Sequence, residues 1–413
     1  MVSNDAQALP NTMAELHLQN ACPATLALHA DDPVNVVTDV APPVHLSTTY
    51  RYSNNPDDLV PWSDDSLANL PPTTHIYSRE TSPNSTRFET ILSPLLHGHV
   101  VSYTSGLAAL HAALLFFNPR RISVGQGYHG SHGVIALLNR VSGVQKLPLN
   151  CPAEDLQKGD VVLLETPVNP FGTAFDIKHY ADKAHGRGAW LIVDSTFGPP
   201  GLQDPFLWGA DLVVHSGSKY LGGHSDLLCG VVVTKDAGWK GRLVEDRLYL
   251  GSVMGNLESW LGVRSLRTLE VRVQKQSRSA TALVGWIDGM LKMEADKVRE
   301  GSEEAVVRGV VESVTHASLQ EDGGEWLKRQ MPNGFGTVFS MTLRKKEFAR
   351  VLPSKLRLFH HATSLGGVES LIEWRALSDT TVDQRLMRVS VGLEDWEDLR
   401  GDFVQAMRGL LQG

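Results

Sequence analysis

Leu212-Val213-Val214-His215-Ser216-Gly217-Ser218-Lys219-Tyr220-Leu221-Gly222-Gly223-His224 leaves an apolar strand and enters a loop of small, hydroxyl-bearing residues that holds one lysine, Lys219. Close packing by Gly and Ser strips water from an ammonium, lowers its pKa and leaves a neutral amine able to attack a carbonyl. Outward from this loop, between Tyr77 and about Arg267, short apolar strands alternate with helical patterns. The strands are Val100 to Tyr103, Ile122 to Val124, Val161 to Leu164, Trp190 to Val193, Leu212 to Val214 and Val231 to Val233; Asp176 caps a helix with Ile177, Tyr180, Ala181 and Ala184 on one face. The alternation predicts an α/β fold with a mainly parallel sheet covered on both sides. Ligands on such sheets gather at the carboxyl ends of the strands, where Asp194 and Lys219 both fall.

Asp194 closes the strand Trp190-Leu191-Ile192-Val193 and offers a carboxylate to a protonated ring nitrogen. Tyr103-Thr104-Ser105-Gly106-Leu107 turns from a strand into a helix carrying Leu107, Leu110, Leu114 and Phe117, and N–H groups at such a helix start suit a phosphate. Ser216 and Ser218 flank the lysine and add hydroxyls, while Tyr128, in the loop Gly125-Gln126-Gly127-Tyr128-His129-Gly130, offers an aromatic face. Amine, acid, phosphate cradle and ring face together are the requirements of pyridoxal phosphate, PLP. Taken singly, each residue also has an ordinary explanation as a cap, a turn or packing.

Residues 1–74 are rich in Pro, Asn, Asp and Ser and predict an extended N-terminal arm with a polar loop from Ser53 to Pro72. Residues 75–267 predict the cofactor-binding α/β domain. A long helical stretch from about Asn256 to Met293 leads into residues 268–413, where strands at Thr337 to Met341 and Met387 to Val391 precede a final helix striped by Trp396, Leu399, Phe403, Met407 and Leu410. That pattern predicts a smaller C-terminal α+β domain. The positive charges from Thr268 to Arg278 predict a solvated helix face or a subunit contact.

A chain of 413 residues, 42% apolar and 20% charged, buries a large core. Its net charge of −8 and pI near 6.1 argue against nucleic-acid and anionic-membrane partners. Cys22, Cys151 and Cys229 offer neither a disulfide framework nor zinc spacing, and neither signal-peptide nor membrane-length apolar segments occur, so a cytoplasmic protein is expected. On that expectation the Asn84-Ser85-Thr86 sequon goes unused. There is no G-x-G-x-x-G after a strand and no G-x-x-x-x-G-K-[ST], and the pairs His129/His132, His97/His99 and His360/His361 lack acidic or cysteine partners at ligand spacing; no metal is expected.

Over nearly its whole length the chain resembles the PLP enzymes of cysteine and methionine metabolism, the cystathionine γ-synthase and O-acetylhomoserine γ-replacement type. The motifs are Tyr77-Ser78-Arg79, Glu165-Thr166-Pro167-Val168-Asn169-Pro170, Val193-Asp194-Ser195-Thr196-Phe197 and His215 to Asp226. The resemblance implies PLP-dependent transferase fold type I, aspartate aminotransferase-like, in a homodimer or homotetramer. It implies Lys219 as the Schiff-base lysine, Asp194 with neighbouring Thr196 at the pyridine nitrogen, and Tyr128 stacked on the ring and assisting proton transfer. Ser105, Gly106, Leu107, Ser216 and Ser218 match the phosphate cradle, and Asn169 the side chain near the phenolic oxygen. Tyr77 and Arg79 match a pair that reaches the neighbouring subunit's phosphate, and Arg388, with Ser364 beside it, matches the substrate-carboxylate clamp.

Departures from the family pattern bear on substrate. Asn84-Ser85-Thr86 replaces Asn-Pro-Thr and predicts a looser turn; Gly130 stands where methionine γ-lyases carry a cysteine. Thr363 stands where enzymes of cystathionine typically carry a glutamate for the distal amino group, although Glu258 or Glu373 offers a charge from another direction. The usual His-Pro after Glu-Ser-Leu reads Glu373-Trp374-Arg375, as in a fungal-looking branch. The expected activity is γ-replacement on an O-activated L-homoserine by a sulfur or carbon nucleophile. Cystathionine γ- or β-lyase and a non-catalytic paralogue are the alternatives.

Overall fold

The computed structural model describes Leu18, residues 21–61 and residues 73–412; the expected polar loop from Ser53 lies outside them beyond residue 61, as does most of the beginning of the arm. The large sheet contains β1 (His99–Tyr103), β2 (Arg121–Val124), β3 (Gln145–Pro148), β4 (Val161–Glu165), β5 (Trp190–Asp194), β6 (Leu212–Ser216) and β7 (Gly230–Thr234), in the order β1-β7-β6-β5-β4-β2-β3. β2 to β6 pair in parallel, and β7 runs antiparallel to both β6 and β1. The central strands read as unbroken apolar runs because both faces are covered. Val101, Ile122, Leu163, Ile192 and Val214 pack toward the helix Gly106–Phe117, while Val162, Leu164, Leu191 and Val193 pack toward the helix Ile177–His185, the alternation of a pleated strand.

The segment Asn84-Ser85-Thr86 is not a loosened turn. Pro83 opens the helix Pro83–Leu95, and Ser82 and Ser85 cap it reciprocally through side chain and backbone. Asn84 is buried, accepting the His45 N–H at 2.8 Å and donating to the Pro43 carbonyl at 3.0 Å, which ties the arm to this helix.

The helical stretch expected from Asn256 to Met293 divides into Asn256–Leu266 and Leu269–Lys292. At the break Arg267 bonds the carbonyl oxygens of Ala27 and Leu28 and the buried carboxylate of Asp31, a tertiary pull that helical periodicity does not encode. The positive stripe that follows is only partly solvated. Arg278 is exposed, but Arg272 is buried, donating to the carbonyls of Tyr220 and Ser265 at 2.9 Å each. It therefore anchors the loop after Lys219, and the expectation of a solvated or subunit-facing row is corrected at this residue.

The smaller sheet has β8 (Val311–Thr315), β9 (Val338–Leu343), β10 (His360–His361), β11 (Leu371–Trp374) and β12 (Leu386–Ser390), ordered β10-β11-β12-β9-β8. Its core joins Phe339, Met341, Ile372 and Val389 to Leu399, Phe403 and Met407 of the last helix, Trp396–Leu411, and to Leu283 and Ile287 of Leu269–Lys292. No helix among the described residues is long and apolar enough to cross a membrane.

Candidate active site

The carboxyl ends of β4, β5 and β6 open into a cavity of about 590 Å³, closed from the other side by residues 363–365 and by β11 and β12. Lys219 follows β6 in a tight loop in which Gly222 N–H donates to the Gly217 carbonyl and Gly223 N–H to the Lys219 carbonyl, at 2.8 and 2.7 Å. Its Nζ donates to Ser364 Oγ at 2.9 Å. Burial, with the Arg388 guanidinium adding to it, pushes the Lys219 pKa down to about 8, so roughly a tenth of the amine is neutral at pH 7, far more than for an ordinary lysine.

Asp194 lines the cavity at the end of β5, and burial raises its pKa above the usual carboxylate range. Thr196 holds it: the Thr196 hydroxyl donates to Asp194 Oδ1 at 2.6 Å, the Thr196 N–H to the same oxygen at 3.0 Å, and Thr196 Oγ1 accepts the Ser216 N–H at 2.8 Å. One chain of bonds thus fixes the ends of β5 and β6 together.

Glu165, quoted above only as part of a motif, is a second acid at this end. The parallel register of β4 and β5 sets it opposite Asp194. Its Oε2 accepts the Tyr128 N–H and its Oε1 the Asn169 N–H, both at 2.8 Å. Burial, then the charge of Asp194, push its pKa upward. Glu165 therefore acts through the loops that carry Tyr128 and Asn169. A second acid at a parallel-strand terminus, one strand from Asp194, was the signal available in the sequence.

Ser105 caps the helix Gly106–Phe117 by accepting the Ala108 N–H at 3.1 Å, which leaves the first-turn N–H groups of Gly106 and Leu107 at the cavity wall. A Cβ on Gly106 would lie 2.7 Å from the Ser216 Cβ, so only glycine lets the helix start approach the β6 loop this closely. Ser216 lines the cavity, as does Ser218, whose hydroxyl also accepts the Cys229 N–H at 2.9 Å. Tyr128 is 37% exposed at the rim, and a Cβ on Gly130 would stand 2.5 Å from its ring. Gly130 thus permits the ring's position, which is the physical content of the departure noted there.

Arg388, on β12, donates through Nη1 to Asn169 Oδ1 at 3.1 Å and through Nη2 to the Ser364 carbonyl at 2.9 Å. Ser364 has a left-handed backbone, φ 77°, and Thr363 beside it also lines the cavity. Glu373, offered above with Glu258 as a charge from another direction, lines the cavity, as does Arg375, which had no assigned role, and both are 3% exposed. Glu373 pairs with Arg388 at 2.6 Å and with Arg375 at 2.9 Å. Glu258 is not among the cavity's lining residues. Tyr77 and Arg79, expected to reach the neighbouring subunit's phosphate, do not line their own chain's cavity: they line a different surface pocket with Thr48 and Asn256, the Arg79 guanidinium 5.4 Å from the Tyr77 ring centre.

The donor set fits PLP. An amine of lowered pKa, a half-buried carboxylate suited to a pyridinium N–H, and a helix start flanked by hydroxyls for a phosphate all meet in one cavity. Comparison with known proteins agrees. The family profile for Cys/Met metabolism PLP-dependent enzymes matches residues 24–408. The chain is 31% identical to the cystathionine gamma-synthase of Escherichia coli over 396 residues, covering 91% of this chain and 94% of that one. It is 32% identical to the cystathionine gamma-lyase of Saccharomyces cerevisiae over 410 residues, covering 93% and 97%. The crystal structure of metB from Corynebacterium glutamicum superposes with a TM-score of 0.81 at 28% identity, covering 95% of this chain and 99% of that one. The lysine-bearing loop, the sheet that presents it and the extent of these matches agree, and the chain belongs to the PLP-dependent enzymes of Cys/Met metabolism.

Proposed function

We propose that the protein catalyses γ-replacement on an O-activated L-homoserine, such as O-acetyl-L-homoserine, with an incoming nucleophile that lacks an α-amino group. The observation that carries this reading is the engagement of Glu373. A buried ammonium needs a carboxylate partner, and the distal amino group of cysteine or cystathionine would need one here. Glu373 Oε2 is already shared by Arg388 and Arg375, and Oε1 accepts the Ser378 hydroxyl at 2.5 Å. Asp194 and Glu165 are held at the ends of β5 and β4 by Thr196 and by the Tyr128 and Asn169 N–H groups, and Thr363 has only a hydroxyl to give.

In this reading Arg388 holds the α-carboxylate in plane, Asp194 holds the ring nitrogen protonated, and Tyr128 covers the ring. Ser105, Gly106, Leu107, Ser216 and Ser218 receive the phosphate, and Asn169 stands by the phenolic oxygen. PLP, when bound, supplies the electron sink for charge developing at Cα. Lys219 removes the Cα proton and moves protons between Cα and Cβ, work suited to a base of depressed pKa. The Cγ–O bond breaks and the acyl group departs as a carboxylate. The nucleophile's bond forms at Cγ, its proton passing to solvent. A sulfide, a simple thiol or the enolate of a small ketone or oxo acid meets the requirement, the last making a C–C bond.

Competition decides it. The holoenzyme is given O-acetyl-L-homoserine with equal L-cysteine and acetoacetate, and products are identified by mass. The amino-free adduct is expected to dominate; cystathionine as the main product overturns the choice of nucleophile. Release of ammonia and a 2-oxo acid in place of any adduct overturns replacement in favour of a lyase.

A further inference from the structure

Arg388, the residue suited to grip a substrate carboxylate, already grips one belonging to the protein. Glu373 faces Arg388 directly across the antiparallel register of β11 and β12, and its Oε2 lies 2.6 Å from Arg388 Nη2. The same oxygen accepts Arg375 Nη1 at 2.9 Å, and Oε1 accepts the Ser378 hydroxyl. One carboxylate is therefore divided between two guanidinium groups. Arg375 is buried with a single side-chain hydrogen bond among the described residues: its Nε has no partner, and its Nη2 stands 3.9 Å from Asp379. Asp379 turns Oδ2 toward Arg375 at that distance, beyond hydrogen-bond reach, while its Oδ1 accepts the Thr381 N–H and hydroxyl at 2.9 and 2.6 Å. A guanidinium has five donors in a fixed fork, so Arg375 has unused capacity for a carboxylate.

Charge accounting follows from this geometry. Two cations and one anion share the wall, with Asp379 at its margin. An entering α-carboxylate paired with Arg388 leaves Glu373 to Arg375 and Ser378, giving two matched pairs in a region where an unmatched charge is costly. Both charged residues fall in the Glu373-Trp374-Arg375 segment.

Resting on the reading of Arg388 as the carboxylate clamp, we propose that Glu373 is an internal stand-in for the substrate carboxylate and that Arg375 is the positioning residue that draws it off Arg388 when substrate enters. Glu373 then competes with every amino acid for the clamp, and Arg375 sets how hard it competes. Ligands without a carboxylate are indifferent to both.

The test uses the holoenzyme and L-alanine, which has no γ leaving group, with binding read from the visible spectrum and L-alaninamide as the carboxylate-free control. Glu373→Gln removes the competing charge and is expected to tighten L-alanine by about tenfold, roughly the worth of one charge-assisted hydrogen bond. Arg375→Met leaves Glu373 wholly on Arg388 and is expected to weaken L-alanine by a similar factor, with Arg375→Lys restoring much of the loss. The double variant returns to the affinity of Glu373→Gln alone, a non-additivity that independent structural damage does not produce. L-alaninamide affinity stays level throughout. In turnover, the changes fall on KM more than on kcat.

Weaker L-alanine binding in Glu373→Gln, or additive effects in the double variant, overturns the proposal; melting curves identify any variant that fails to fold, and the Lys and Gln variants keep the test available. Equal wild-type affinity for L-alanine and L-alaninamide overturns the clamp on which it rests. Because binding is read without γ chemistry, a lyase outcome in the competition experiment leaves the result intact.

Discussion

At the scale of single residues, the site is a set of charges whose burial is compensated unevenly. In the proposed reaction Lys219 is the one whose imbalance serves chemistry directly. Burial and the Arg388 charge lower its pKa to about 8, so the neutral amine accumulates as pH rises toward that value and saturates above it. The rate at which apoenzyme develops its visible band after PLP is added is therefore expected to climb by about tenfold per pH unit below pH 8 and to flatten above it, whereas an ordinary lysine would keep the rate climbing to about 10.4. A profile still rising steeply at pH 9.5 would show that the cavity does not depress this amine. Lys219 and Asp194 were legible in the sequence because each sits where an apolar run ends, a position with few ordinary uses for a charge. Glu165 occupies an equivalent place, but its two partners are backbone N–H groups from separate loops, and no spacing in the chain announces them. Glu373 was legible as a charge facing the substrate from another direction and Arg375 only as part of a departure from a pattern; the pairing of Glu373 with Arg388 depends on a strand register that the sequence does not spell out.

At the scale of elements, the lysine loop is held from behind by the helix Leu269–Lys292. Arg272 donates to the Tyr220 carbonyl, while Gly223 has a left-handed backbone, φ 67°, that brings its α-carbon against the same guanidinium. A Cβ at Gly223 would lie 2.0 Å from Arg272 Nη1. Gly223→Ala should therefore combine the cost of a left-handed alanine, about 1 kcal/mol, with the loss of a buried guanidinium bond, about 1–3 kcal/mol. Melting temperature and cofactor retention on dialysis are expected to fall together; a variant with unchanged retention would separate the helix from the loop. The strands β4 to β7 were readable because burial on both faces demands continuous apolar residues. β3 was missed because Gln145-Lys146-Leu147-Pro148 lies at the sheet edge with much of its surface exposed, so nothing in its composition marks a strand. The division of the long helix at Arg267 was hidden for a related reason: the residues that draw the chain aside, Ala27, Leu28 and Asp31, are far away in sequence.

At the scale of the whole molecule, the separation of Tyr77 and Arg79 from their own chain's cavity bears on assembly. If the pair serves a neighbour's phosphate, each working site takes Lys219 from one protomer and Arg79 from the other. Co-expressed Arg79→Ala and Lys219→Ala chains are then expected to regain activity in mixed dimers, in which one of the two sites is whole. Activity no higher than that of either parent, with mixing proven, would place each site within a single chain. The position of β7 has a consequence for how the polypeptide reaches this state. β1 lies at the sheet edge and pairs with no strand but β7, which also separates it from β6. The helix start behind β1 therefore meets the lysine loop only after every strand between them has been made, and pairings so remote in sequence carry a high loop-closure cost. A chain emerging from the ribosome can form β2 to β6 in sequence while β1 waits unpaired, so its earliest strand is the one most exposed to wrong partners during synthesis.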